Sequence, residues 1–190
     1  MSLFPMFVKL ESRKVLVIGA GSIGEAKIES LLPTGAAVRV IAPKATPKVR
    51  EWARDGRIEW ESREYQPADF AGIFLVIAAT NSPKLHDEIY AEARSRGVLC
   101  NAVDEPERCD FYFPAIVRRG ELQIAISTGG LSPALAQRLR MDLEQQFGPE
   151  WEEWVAQLGR TRDELKSIPM PPEQRKRLLH QYASLDPKPH

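Results

Sequence analysis

Cysteine is scarce in this chain: Cys100 and Cys109 are the only two among 190 residues. That excludes a disulfide-built scaffold and a four-thiolate zinc site. It leaves two reduced thiols, with Cys100 expected inside a strand. Net charge is missing too, since 26 basic residues face 26 acidic ones. Such a surface has no general attraction for nucleic acid or an anionic membrane. No apolar run is long enough to span a bilayer, and the longest, Ile73–Ala79, falls far short of ~20 residues. The opening Met1-Ser2-Leu3-Phe4-Pro5 has neither the basic region nor the cleavage site of a secretory signal, so the cytoplasm is the expected location. Histidine is rare as well. His86, His180 and His190 have no His, Cys or acid at ligand spacing, which points to surface residues rather than a metal site. What remains is the apolar and charged balance of a soluble globular protein, long enough for one full core plus something smaller.

Against these absences stands one dense signal. Lys14-Val15-Leu16-Val17-Ile18 is a β-branched and aliphatic run that breaks into Gly-x-Gly-x-x-Gly at Gly19, Gly21 and Gly24. Gly19 suits the tight turn out of a strand, Gly21 lets backbone approach a pyrophosphate, and Gly24 lets the next helix pack close to the sheet. Gly24, Ile28, Leu31 and Leu32 then recur at helical spacing, so the glycines open a helix whose N-terminal N–H groups attract phosphate. A glycine pattern alone is weak. A strand before it and a helix after it make dinucleotide binding the favoured reading over an ordinary turn.

The chain then alternates. Phe7–Leu10 reads as an extended lead-in, and Ala37–Ala42 as a second strand followed by a helix from Thr46-Pro47 to about Asp55-Gly56. Arg57–Glu61 is a weak third strand, and Ile73–Ala79 is continuously apolar, as a parallel strand covered on both faces should be. Asn81-Ser82-Pro83 caps a helix with Leu85, Ile89 and Ala93 on one side, Gly97 ends it, and Val98–Val103 is another strand. The alternation predicts a Rossmann-like α/β domain over 1–112, with a mostly parallel sheet. A hairpin follows, Phe111–Val117 and Leu122–Ser127, turning at Arg118-Arg119-Gly120. Ser132-Pro133 starts a helix with the stripe Leu135, Leu139, Leu143 and Phe147, stopped by Gly148-Pro149. A two-stranded hairpin is barely stable alone, so 113–147 is expected to be a dimerisation region. Trp151, Trp154, Val155 and Leu158, then Leu178, Leu179 and Tyr182, mark helices of a small C-terminal part over 148–190, closing in a frayed tail, Asp186–His190.

In open α/β sheets the ligand lies beyond the carboxyl ends of the strands. Three such ends carry information: Gly19–Ser22, Ala79-Thr80-Asn81 and Asn101-Ala102-Val103-Asp104. Asp104 leaves its strand where a substrate beside a nicotinamide would sit. For its neighbours Glu105, Glu107 and Asp110, solvated loop charge is the preferred reading. The end of the second strand departs from the usual pattern. An acid about 20 residues past the glycines ordinarily binds the ribose 2′-hydroxyl, whereas this chain has Ile41-Ala42-Pro43-Lys44. Lys44 suits a 2′-phosphate or plain solvation, and the residues leave NAD and NADP both open.

Gly19-Ala20-Gly21-Ser22-Ile23-Gly24, Ile77-Ala78-Ala79-Thr80-Asn81, Asn101-Ala102-Val103-Asp104 and Ser127-Thr128-Gly129-Gly130-Leu131-Ser132-Pro133-Ala134 together resemble the precorrin-2 dehydrogenase family, also the N-terminal module of bifunctional siroheme synthases. The similarity runs in order and spacing to about Phe147. The methyltransferase half of the fused enzymes is absent, so the likeness is to the stand-alone form. The resemblance implies NAD-dependent oxidation of precorrin-2 to sirohydrochlorin by a homodimer. It implies that the acid at Asp104 serves the chemistry, and that NAD lies along Gly19, Gly21, Ser22, Ile23, Gly24, Pro43, Lys44 and Thr80. It also implies substrate contacts at Asn101, Thr128, Gly129 and Arg138. The substrate carries many carboxylates, so Arg118, Arg119, Arg138 and Arg140 are candidates to hold it, against an equal case for solvated surface charge. Some relatives insert Fe²⁺ into the product; here weak or no chelatase activity is expected. Two rivals remain: a non-catalytic NAD(H)-sensing module, and an oxidoreductase for another small molecule.

Overall fold

The computed structural model describes residues 3–185 and 187. Two compact units divide the chain between Tyr112 and Phe113.

The first unit is built on β1 (Lys14–Ala20), whose Val15, Leu16, Val17 and Ile18 are all buried. A strand apolar on both faces belongs in the middle of a sheet whose two sides are both covered. It pairs in parallel with β2 (Ala37–Ala45) on one side and with β4 (Leu75–Ala78) on the other. The edges are β3 (Glu59–Glu61) beside β2 and β5 (Leu99–Ala102) beside β4, giving the order β3-β2-β1-β4-β5. Every pairing is parallel, so this is the Rossmann-like α/β fold anticipated from the alternation. The connections leave β1 in opposite directions, which puts the topological switch point between the carboxyl ends of β1 and β4.

Local chemistry sets the helices. The first, α1 (Ser22–Leu31), starts directly from the glycine turn and buries Gly24, Ile28 and Leu31. Thr46 caps α2 (Pro47–Arg54), its Oγ1 accepting from Val49 N at 3.3 Å. Ser82 does the same for α3 (Pro83–Arg96), which Gly97 ends in the left-handed conformation. The lead-in Phe7–Leu10 forms no strand, and Phe4, Met6 and Phe7 are exposed.

In the second unit, β6 (Ala115–Arg119) and β7 (Leu122–Ile126) pair antiparallel. The expected turn at Arg118-Arg119-Gly120 is corrected: Arg118 and Arg119 are strand residues opposite Gln123 and Leu122, and the loop is Gly120-Glu121. A positive φ of 57° at Gly120 supplies the tight two-residue turn, so the strand runs two residues further than its apolar pattern. Its start also moves, from Phe111 to Ala115. The hairpin lies against α4 (Pro133–Gln146), capped by Ser132 as expected, and β7 also meets α5 (Glu150–Ser167). Phe147 and Trp151 meet edge to face at the corner between these helices, with centroids 4.9 Å apart. The last helix, α6 (Pro172–Ala183), packs on α5. The expected frayed tail, Asp186–His190, lies outside the described residues apart from Pro187.

Candidate functional site

The glycine turn shows what each glycine is for. Gly19 has φ 101°, and a Cβ there would stand 2.1 Å from the Ala79 carbonyl oxygen. A Cβ on Gly24 would stand 2.3 Å from Gly19 O, so this glycine permits the turn to lie on its own helix. Gly21 differs: its φ of −75° suits any residue and nothing lies within 4 Å of a Cβ. The space it leaves faces no protein atom, which fits a ligand's backbone-hugging phosphates. No side chain caps α1 at Gly21, so the first-turn N–H groups point at that same open space.

The neighbouring strand ends complete the crevice. Ala79 and Thr80 follow β4, with Thr80 Oγ1 accepting from Ser82 N at 3.3 Å, which shapes the turn into α3. At the end of β2 the register with β1 jumps from Ile18↔Ile41 to Ala20↔Ala45. Ala42-Pro43-Lys44 therefore bulges outward beside the glycine turn, with Pro43 and Lys44 exposed. Trp60 Nε1 and Ser62 Oγ donate to the carbonyls of Ala42 and Pro43, each at 3.0 Å, and hold the bulge. Ser22 and Ile23 are exposed at the first turn of α1. The cofactor candidates Gly19, Gly21, Ser22, Ile23, Gly24, Pro43, Lys44 and Thr80 thus line one end of one sheet.

Beyond β5 the chain folds back along its own strand. Asp110 N donates to Cys100 O at 2.7 Å, and the Asp110 carboxylate accepts from Cys100 N at 2.9 Å. This return covers the open edge of β5. Asn101 Nδ2 donates to Phe111 O at 2.8 Å and approaches Cys109 Sγ at 3.4 Å. Cys109 Sγ in turn donates to Ala102 O at 3.1 Å. Burial pushes the thiols up, Cys100 to about 12. Asn101, expected to touch substrate, is buried, and its amide nitrogen braces the loop.

Two further expectations are corrected in this loop. Glu105 is half-buried rather than a simple solvated charge, while Asp110 is exposed as expected and its carboxylate also accepts from Cys100 N. Glu105 Oε2 accepts from Arg108 at 2.6 Å, and Arg108 also reaches Asp87 on α3. His86 is buried, not a surface residue, because α3 turns it inward with Ile89 and Ala93. Its Nδ1 lies 3.1 Å from Glu105 Oε1, although neither ring nitrogen makes a well-directed hydrogen bond. Glu107 is exposed, as expected.

Asp104 stands apart from this bracing. It is exposed and has φ 62°, in a turn closed by Glu105 N donating to Ala102 O at 3.2 Å. That third turn position favours glycine, so an aspartate there carries local strain. Val103 N donates to Ala78 O at 3.0 Å, tying the turn to the end of β4. An exposed carboxylate on a rigid loop, along the same sheet end as the glycine turn, can act as a proton acceptor. One residue escaped notice in the sequence. Burial holds the half-buried Lys27 ammonium on α1 below the usual lysine range, with the charge of Asp104 opposing that shift. The available signal was its place one turn after Gly24, beside an apolar stripe.

In the second unit, Thr128 Oγ1 accepts from Ser132 N at 3.0 Å, and Gly129 and Gly130 have positive φ. Arg138 is exposed on α4, 4.0 Å from Asp142. Arg118 is exposed on β6. The Arg119 guanidinium donates to Phe147 O and Glu144 O and caps α4. Arg140 pairs with Glu144 at 2.5 Å.

Residues 6–115 match a family model for NAD(P)-binding proteins, which is more than half of the chain. The chain belongs to this NAD(P)-binding family. A second model, for the central part of a sirohaem biosynthesis protein, matches residues 119–146 of this family member. Siroheme synthase 1 of Yersinia enterocolitica is 40% identical over 166 residues, covering 87% of this chain and 35% of that protein. Siroheme synthase of Mannheimia succiniciproducens is 40% identical over 144 residues, 76% of this chain and 30% of that one. The chain thus spans about a third of the length of these relatives. Among solved structures, SirC, a precorrin-2 dehydrogenase, superposes with a TM-score of 0.77 at 26% identity, covering 94% of this chain and 88% of that one.

Proposed function

We propose that this protein oxidises precorrin-2 to sirohydrochlorin with NAD. The observation that carries the reading is Asp104: a strained, exposed carboxylate on an otherwise braced loop, at the sheet end that also holds the glycine turn. The likeness to SirC over nearly all of both chains, and the siroheme synthases among the relatives, support the choice of substrate.

Gly19, Gly21, Ser22, Ile23 and Gly24 would hold the pyrophosphate and its flanks, Pro43 and Lys44 the adenosine side, and Thr80 the approach to the nicotinamide. The cofactor supplies a hydride acceptor when bound. Dehydrogenation removes one hydride and one proton from adjacent atoms of the macrocycle and leaves a new double bond. Asp104 accepts the proton as general base. Thr128, Gly129 and the exposed Arg138 are assigned to the substrate, Arg138 by pairing with a peripheral carboxylate; Asn101 serves through the loop it braces. NAD is preferred to NADP on the family likeness, despite the missing acid at the end of β2, where Lys44 suits a 2′-phosphate or plain solvation.

The working form is proposed to be a cytoplasmic homodimer. No helix among the described residues is long and apolar enough to cross a membrane. Incubating the protein with precorrin-2 and either NAD or NADP, and following the chromophore, tests the function directly. Turnover with NAD is expected; reduction of neither cofactor overturns the reading. Adding Fe²⁺ or Co²⁺ to the product is expected to give little enzyme-dependent metal insertion.

A further inference from the structure

Two consecutive residues near the start of α3, His86 and Asp87, reach across to the loop that carries Asp104. His86 Nδ1 stands 3.1 Å from Glu105 Oε1, and Asp87 Oδ1 accepts from Arg108 Nε at 2.8 Å. Arg108 closes the circuit, donating from Nη1 to Glu105 Oε2 at 2.6 Å. Both oxygens of one carboxylate are thus engaged from α3, one directly and one through Arg108. The two arms differ in weight. The Asp87 side chain is 61% exposed, and a screened surface pair of that kind contributes little. The His86 side chain is 4% exposed and that of Glu105 20%, so their contact is shielded. A buried imidazole is costly without a partner. Neither ring nitrogen makes a well-directed hydrogen bond, and the Glu105 carboxylate is the charge that faces Nδ1. Glu105 directly follows Asp104, and its N–H donates to Ala102 O at 3.2 Å to close the turn that holds Asp104 at φ 62°. Fixing Glu105 therefore fixes that strained backbone from its C-terminal side. α3 itself leaves the turn of Thr80, whose Oγ1 accepts from Ser82 N at 3.3 Å. One helix thus starts at the end of β4 and grips the loop after β5.

We propose that His86 is a positioning residue: from inside α3 it anchors Glu105, and through Glu105 it sets where the Asp104 carboxylate stands. This rests on the reading of Asp104 as the general base. A proton acceptor on an exposed turn works only while its backbone stays in place, since a misplacement of about 1 Å costs about 100-fold in rate. His86 acts from the interior and need not touch either reactant.

Two measurements on the full chain test the anchor. His86→Leu puts an apolar group of similar size into an apolar setting, so its urea midpoint should hold. In steady-state turnover of precorrin-2 with NAD, it is expected to lower kcat about 10–100-fold with NAD affinity and KM little changed. His86→Asn keeps an N–H donor close to the place of Nδ1 but leaves part of the ring's volume empty. It is expected to recover most of kcat while its urea midpoint falls. A merely structural role predicts the reverse, with kcat following stability. Added to Glu105→Ala, His86→Leu is expected to cost nothing more, the mark of residues acting as one unit. Normal kcat in His86→Leu, an Asn variant as slow as Leu, or losses that add in the double variant overturns the proposal. The second measurement does not use activity: amide hydrogen exchange without substrate, read by mass spectrometry. Peptides over 103–109 are expected to exchange several-fold faster in His86→Leu, with those over the glycine turn unchanged. Unaltered exchange in 103–109 overturns the anchor even if the substrate proves to be something else. Absent turnover by the wild type, with the exchange change present, removes the dehydrogenase reading and leaves the anchor.

Discussion

At the scale of single residues, Gly19 and Gly21 belong to one motif but answer to different forces. Gly19→Ala forces a Cβ to 2.1 Å from a backbone oxygen at a positive φ, so the variant is expected to unfold or fail to accumulate. Gly21→Ala meets no protein atom and keeps an allowed φ. It should fold with an unchanged urea midpoint yet lose NAD binding about tenfold or more, as judged by fluorescence titration, because the methyl occupies space meant for phosphate. A Gly21→Ala protein that binds NAD normally would falsify the placement of the pyrophosphate. Asp104 invites a similar separation. Asp104→Asn should lower turnover about 10²–10⁴-fold with NAD affinity intact, while Glu107→Gln stays near normal. Asp104→Gly relieves the strain at φ 62° and is expected to be inactive but no less stable than wild type in urea unfolding. Stability that fell sharply in Asp104→Gly would make this residue a structural one.

Between elements, an ion-pair network joins β2, β3 and the segment before β4. Asp69 lies buried just before β4, bonded to Arg63, to Arg39 on β2 at 2.9 Å and to Gln66 N at 2.9 Å. Its hydrogen bond from Arg63 is the main cause holding its carboxyl below the usual range, against the opposing effect of burial. A folded-state pKa below the unfolded one means the network stabilises the protein above about pH 4. That contribution is lost as pH falls through the lower, folded value. Asp69→Asn should therefore destabilise by about 2–3 kcal/mol at neutral pH. The gap to wild type should close in denaturation curves taken towards pH 2. A gap independent of pH would mean that packing, not charge, is what Asp69 supplies. The hairpin teaches a complementary lesson. Its existence followed from alternation in Leu122, Ile124 and Ile126, but its turn did not, because Arg118 and Arg119 look like loop residues. They join the strand because pairing with Gln123 and Leu122 satisfies their backbone, and Arg119 gains the carbonyls at the end of α4.

For the molecule as a whole, the second unit exposes Ile116, Leu131, Leu135 and Met141 around a sheet of only two strands. A surface of that kind suits a two-fold partner. Light scattering at micromolar concentration is expected to give twice the mass of the chain, and an active monomer would remove the dimer from the proposal. How much of this was readable from residue order divides cleanly by range. The buried strands β1 and β4, the caps at Thr46, Ser82 and Ser132, and the glycine turn were legible because each depends on neighbours a few residues apart. Charged and polar side chains were not, because their environment is supplied by segments distant in sequence. His86 looked like a surface residue until α3 turned it inward, and Glu105 looked solvated until the loop brought it against His86 and Arg108. Asn101 and Arg119 donate to backbone carbonyls far along the chain, which residue order did not show. The local pattern determined the strands, the helix starts and the place for a dinucleotide. Only tertiary structure decided which polar groups remain available to it, because hydrogen bonding and desolvation depend on atoms brought together from separate stretches of chain.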